Sequence, residues 1–116
     1  MVRDDCVFCQ VMAGKLPSDI EFENENLAVF RDINPQAPVH LLIVPKKHIA
    51  RLSDTSDDDS QLLCEMLHTA KDMADKLGLK EKGFRLVLND GKDSGQSIFH
   101  IHLHLLSGRR LMWPPG

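Results

Sequence analysis

Apolar residues recur along this chain with two different periods. Over 62–77, Leu62, Leu63, Met66, Leu67, Ala70, Met73, Ala74 and Leu77 return every three to four positions, the spacing of one helix face. Ser56 precedes the run as a candidate N-cap, Asp57, Asp58 and Asp59 put negative charge at the positive end of the helix dipole, and Gly78 stops it. The pattern predicts one long helix over roughly 56–78. "VFCQVMAG" predicts a second, short helix ended by Gly14.

The other apolar runs are short and strand-like. "DIEFENE" and "NLAVFRDI" read as a hairpin around the turn residues Asn24–Asn26, and "VHLLIVP" as a buried strand closed by Pro45. "INPQAP" is a loop, because its prolines exclude regular structure. "GFRLVLND" and "SIFHIHLHLLS" are two further strands joined by "DGKDSGQ". After the short helix, the order β-β-β-α-β-β implies an α+β fold. The expected architecture is a mostly antiparallel five-stranded sheet with one long and one short helix, both helices on one face.

A chain of 116 residues is expected to form one domain, 1–116. Its net charge of −3, with no basic cluster beyond Lys46–Lys47 and Arg109–Arg110, offers little to nucleic acid or a membrane surface. No apolar window is long enough for a membrane span, and the acids in "MVRDDCVFCQ" break what would be a signal peptide's apolar stretch. Three cysteines, an odd number, do not suggest a disulfide-stapled secreted domain. The expected location is the cytosol, and also the nucleus in a eukaryote.

The chemistry concentrates in "QSIFHIHLHLL". His100, His102 and His104 alternate with Ile101, Leu103 and Leu105, so on a strand the three imidazoles share one face while the aliphatics face the long helix. Three protonated rings about 6.5–7 Å apart would repel one another, so at least one should be neutral near pH 7. A neutral imidazole is a nucleophile, a base or a metal ligand. A single such histidine would be an ordinary polar residue on a solvated face; three in register beside a glycine-rich loop make a site. Two readings stay open at this point: a zinc centre on the strand, or an imidazole that attacks phosphorus. The preceding loop "NDGKDSGQS" favours phosphorus, with two glycines for close backbone approach and Asn89, Gln96 and Ser97 as neutral donors.

"HIHLHLL" also resembles the signature of the histidine triad nucleotide-binding family. "FRDINPQAPVHLLIVPKKHI", "GQSIFHIHLHLLSGR" and the terminal "WPPG" look like its Hint branch, so the likeness runs from about Val7 to the last residue. The resemblance implies a purine-nucleotide hydrolase that works through a covalent nucleotidyl-histidine, with His102 as nucleophile. His104 would contact the phosphate and help protonate the departing amine. His40 would support the triad, and Asn89 and Ser97, with the backbone near Gly95 and Gln96, would hold the phosphoryl oxygens, Ser97 within the catalytic set. Asp32 matches a ribose-binding acid. Phe8, Val11, Phe30 and Ile33 match the walls of a base pocket, although composition alone would put them in the core.

The same resemblance bears on "CVFC". A lone C-x-x-C is half a zinc site, a redox pair or two inert cysteines, and it lacks the βαβ context of a thioredoxin-like helix. Some family members carry this pair and bind structural zinc with two histidines; the matching positions are Cys6, Cys9, His48 and His100. Such a zinc would be structural, leaving His102 and His104 for phosphorus with no catalytic metal required. The implied substrates are adenosine or guanosine 5′-monophosphoramidates, with the nucleoside monophosphate as product. The implied assembly is a homodimer formed through the long helix and a sheet edge, with the tail around Trp113 near the partner's site. Cleavage of dinucleoside polyphosphates, a nucleotide-binding scaffold with little turnover, and a zinc-dependent hydrolase are the alternatives. Cys64, partly packed, and His68, solvent-facing, carry no functional claim.

Overall fold

A computed structural model describes residues 3–116. Five strands, β1 (Ile20–Glu23), β2 (Leu27–Arg31), β3 (Val39–Pro45), β4 (Arg85–Val87) and β5 (Leu103–Ser107), form one sheet in the order β1-β2-β3-β5-β4. Every pairing is antiparallel. The two helices are α1 (Val7–Met12) and α2 (Ser60–Lys76). No helix among the described residues is long and apolar enough to cross a membrane.

Local chemistry accounts for the element ends. The Asn24 side-chain oxygen accepts from the backbone N–H groups of Asn26 (2.8 Å) and Leu27 (3.0 Å), which closes the β1–β2 turn. Ser56 opens the long helix through a capping box with Asp59, by way of a short 3-10 turn over Asp57–Asp59. Gly78, at φ +71°, lies just past its end.

The sheet is two-faced because strand side chains alternate. Leu27, Val29, Leu41, Ile43, Leu103 and Leu105 point to one side and pack with Met66, Ala70, Met73 and Ala74 of α2 in the main core. Ala28, Phe30, Leu42 and Val44 point the other way, against Cys6, Phe8, Cys9 and Val11 at α1. The expectation of both helices on one face is therefore corrected: α1 covers the face opposite α2. The heptad-like pattern of α2 could not reveal this, because α1 is too short to carry a readable period of its own. Two packing expectations on α2 also change. Leu67 is 56% exposed despite belonging to the apolar stripe, and Cys64 is exposed rather than packed. His68 faces solvent as expected.

The strand expected over "SIFHIHLHLLS" is shorter in the structure, beginning only at Leu103. Upstream, the chain leaves the ladder and is held by other bonds, chiefly Ile101 N–H to the Ile49 carbonyl at 2.7 Å. His100 and His102 thus sit on an irregular segment pinned beside residues 48–50, and only His104 lies on the strand.

Candidate functional site

A cavity of about 680 Å³ opens on the α1 side of the sheet. Phe8, Val11, Phe30, Leu42 and Ile98 supply apolar wall, and Asp32, Asn34, His40, Ser97, His102 and His104 supply polar groups. An apolar cleft with a few convergent polar side chains is the usual form of a small-molecule site.

The sheet places its imidazoles. Leu42 pairs with His104 and His40 with Leu106 across β3 and β5, so His40 and His104 are diagonal neighbours on one face. The His40 Nε2 atom lies 2.9 Å from His104 Nδ1, while His40 Nδ1 accepts the Gln36 backbone N–H at 3.0 Å. A neutral His40 must then carry its proton on Nε2 and donate it to His104, which leaves His104 with its own N–H on Nε2. Asp32 Oδ2 stands 3.4 Å from His40 Nε2, and Asp32 Oδ1 accepts from Asn34 N–H at 2.9 Å.

His102 is fixed by the backbone. Its Nδ1–H donates to the His100 carbonyl at 2.8 Å, so the lone pair resides on Nε2. The ring stands edge-to-face on Phe8, with centroids 5.0 Å apart, and 4.9 Å from the His104 ring. His102 and His104 both line the cavity.

Burial sets the charge of these groups. It drives His104 down to about 4, helped by the His102 and His40 rings and opposed by Asp32. Burial also lowers His102, against the opposing pull of its bond to the His100 carbonyl and of Asp32, and it lowers His40. All three are neutral near pH 7. His104 is consequently a hydrogen-bond donor there, not a store of acid.

His100 has a different setting from the one expected of a residue on an open face. It is fully buried, its Nε2–H donates to the Pro45 carbonyl at 2.7 Å, and burial takes it to about 4. Its Nδ1 lone pair faces Cys6 Sγ at 3.3 Å and Cys9 Sγ at 3.6 Å, and His48 Nδ1 lies 3.6 Å from Cys9 Sγ. The four ligand atoms of Cys6, Cys9, His48 and His100 all fall within 4.8 Å of one another. Tetrahedral zinc with Zn–S near 2.3 Å and Zn–N near 2.0 Å has S···N edges of about 3.6 Å, so the donor set fits that ion. The carbonyl behind His100 fixes the ligating tautomer, as outer partners of metal-bound histidines do. Asp32, His40 and His104 also cluster within 4.8 Å. Both nitrogens of His40 are engaged in hydrogen bonds, so that group is a bonded relay rather than a ligand set.

Of the residues singled out from sequence, Phe8, Val11, Phe30, Asp32, Ile33, His40, Gly95, Ser97, His102 and His104 meet in the cavity. Asn89 and Gln96 do not line it. Gln96 is buried: its amide nitrogen donates to the Ala50 (2.8 Å) and Ile98 (3.0 Å) carbonyls, and its oxygen accepts Gly91 N–H at 2.8 Å. It braces the loop instead of offering a donor to a ligand. Gly91 and Gly95 do take positive φ, +88° and +93°, as a loop built for unusual dihedrals requires. Sequence reasoning missed Leu16, Pro17, Ser18 and Gln36 on the cavity wall. None had a signal, since they lie in loops whose path periodicity cannot describe.

Residues 13–111 match the HIT domain family. The chain belongs to that family. An uncharacterized HIT-like protein of Synechocystis is 43% identical over 115 residues, covering 99% of this chain and 100% of that protein. The crystal structure of a HIT family hydrolase from Legionella pneumophila is similar at 54% identity and a TM-score of 0.94, over 97% of this chain and 100% of that one. A zinc-bound histidine triad family protein from Mycobacterium smegmatis is similar at 34% identity and a TM-score of 0.77, over 90% and 76% of the two chains. Within this HIT chain, then, the triad divides: His102 and His104 face the cavity, and His100 turns toward the cysteines.

Proposed function

We propose that this HIT protein is a hydrolase of adenosine or guanosine 5′-monophosphoramidates, releasing the nucleoside monophosphate and an amine. The observation that carries the reading is the His102 tautomer. A neutral imidazole held by a carbonyl at Nδ1 keeps Nε2 as its lone-pair nitrogen, on the wall of a cavity suited to a nucleoside. The solved HIT family hydrolase from Legionella, at 54% identity, supports hydrolysis as the reaction class.

In the proposed reaction the base lies between Phe8, Val11, Phe30 and Ile33, and the ribose hydroxyls donate to Asp32. His102 Nε2 attacks the α-phosphorus, the P–N bond to the amine breaks, and a nucleotidyl-imidazolium forms. The His104 Nε2–H and the Ser97 hydroxyl donate to phosphoryl oxygens as charge develops on them. The leaving nitrogen gains a proton as the P–N bond breaks, with His104 helping to deliver it from solvent. Water then attacks the same phosphorus, the P–Nε2 bond breaks, and His102 returns to its starting tautomer as the attacking water loses its proton.

Cys6, Cys9, His48 and His100 would hold a structural zinc, with the Mycobacterium protein as the zinc-bound relative that supports it. When bound, such an ion supplies a cross-link between α1 and the triad segment. A homodimer in the cytosol completes the proposal; exposed Leu67 on α2, with Met112 and Trp113 in the tail, gives a second copy apolar surface to cover.

The deciding experiment is turnover of an adenosine 5′-phosphoramidate by the protein and by His102→Ala, with and without chelator, with folding verified by circular dichroism. Loss in the variant and survival under chelator support the proposal. Full activity in a folded variant ends the nucleophile assignment. Binding without turnover by the parent protein points to a nucleotide scaffold, and loss under chelator without unfolding points to a zinc hydrolase.

A further inference from the structure

Phe8 stands between the two cysteines of the proposed zinc set, one helical turn carrying all three. Its ring meets His100 edge-on at 5.9 Å, His102 at 5.0 Å and Phe30 at 5.5 Å. One side chain therefore touches a metal-ligand histidine, the cavity's nucleophile candidate and the aromatic wall of the same cavity. A second route joins the two sites through the backbone, since the carbonyl that orients His102 belongs to His100.

We infer that zinc and nucleotide binding are thermodynamically coupled in this protein, with Phe8 as the coupling side chain. The inference rests on the zinc and nucleotide reading above and adds an interaction between the two ligands. α1 is held against the sheet by one small apolar contact, Phe8 and Val11 with the two cysteines on Ala28, Phe30, Leu42 and Val44, so half of its anchoring residues are the metal set itself. It has six residues, and its N-cap is the Cys6 sulfur accepting Cys9 N–H at 3.4 Å. A helix this short has no stability of its own and holds its position only through tertiary contacts. A bound ion ties Cys6 and Cys9 to His48 and His100. That tie seats Phe8 and Val11 as a preformed wall, so a nucleotide does not have to order it. By linkage, a nucleotide stacked on that wall must tighten zinc by the same factor.

The coupling is measured directly as a cycle, without any turnover. AMP affinity is determined for zinc-loaded and zinc-stripped protein, and zinc affinity by chelator competition with and without saturating AMP. The expected result is a shift of about fivefold or more in each, equal within error. Phe8→Leu keeps an apolar filler beside intact ligands; it should still bind zinc while the factor falls toward one. An unchanged AMP affinity across zinc loading overturns the inference. So does a factor undiminished in Phe8→Leu, which would mean that the two ligands merely share a preference for folded protein. Failure to bind zinc, or failure to bind AMP, overturns it together with the reading beneath it, and each failure shows in its own single-ligand titration.

Discussion

The Nε2 atom of His40 lies 2.9 Å from Nδ1 of His104, and this contact decides which nitrogen of His104 carries the proton. With Gln36 N–H already on His40 Nδ1, the pair has one neutral arrangement, and it ends in an N–H on His104 Nε2. His40→Phe removes that control while preserving a ring in the strand. The expected outcome is a fall in kcat of about ten- to a hundredfold with KM little changed, at the weaker end of effects on catalytic proton placement. Steady-state kinetics on an adenosine phosphoramidate provide the check, and an unaltered kcat would remove His40 from the relay.

Low pH should unfold the protein earlier than carboxylate titration alone predicts. His104 is held near 4, below the ordinary histidine value of about 6.5, so between those values the unfolded chain binds a proton that the folded chain refuses. Stability is full above about pH 6.5 and is lost as pH falls toward 4, by at most about 1.4 kcal/mol per pH unit for one such ring. Urea midpoints at half-unit intervals should be level above that window and drop through it. His104→Gln should shrink the drop without abolishing it, because burial also holds His100 near 4 and lowers His102 and His40; an identical pH curve in the variant would show that His104 contributes nothing.

Chelation should lower thermal stability more than it lowers activity at a temperature where the stripped protein stays folded. An ion present at hundreds to a thousand times its dissociation constant contributes about 3–4 kcal/mol, worth a Tm shift of roughly 10 °C or more in a domain of this size. Differential scanning fluorimetry with chelator, followed by zinc add-back, measures the shift. Equal melting curves throughout would mean that the Cys6, Cys9, His48 and His100 cluster holds no stabilising ion.

Gln96→Ala should be more damaging than a loop substitution ordinarily is. Three hydrogen bonds inside the structure end on this one amide, and truncation would strand the Ala50 and Ile98 carbonyls and the Gly91 N–H. A loss of about 2–4 kcal/mol is expected, from buried groups left unpaired. Chemical denaturation measures it. A change under about 0.5 kcal/mol, typical of exposed positions, would contradict the bracing role.

The sequence carried the elements well because each had a period or punctuation mark. The β3 strand ends at Pro45, the long helix starts at its Ser56 capping box and stops before Gly78, and the β1–β2 turn sits on Asn24. The cavity's imidazoles were legible for a similar reason, since alternation puts His102 and His104 together. What alternation could not convey was that His100 leaves the strand, because the bond that pulls the chain aside joins Ile101 to Ile49, far away in sequence. Gln96 was misread for the opposite reason. Its side chain suits a ligand donor, and only tertiary contacts reveal that both of its amide N–H donors are already used. The side on which α1 packs was likewise a matter of long-range contacts.

In β3 and β5 the residues that build the core and those that build the chemistry are immediate neighbours: Leu41 beside His40, Leu105 beside His104. A strand that paired one position out of step would turn Leu41 or Leu105 to the cavity and His40 or His104 into the apolar layer. The alignment that seals the apolar layer is thus the same alignment that presents the imidazoles, and a molecule whose strands pair out of step should lose its core and its chemistry together.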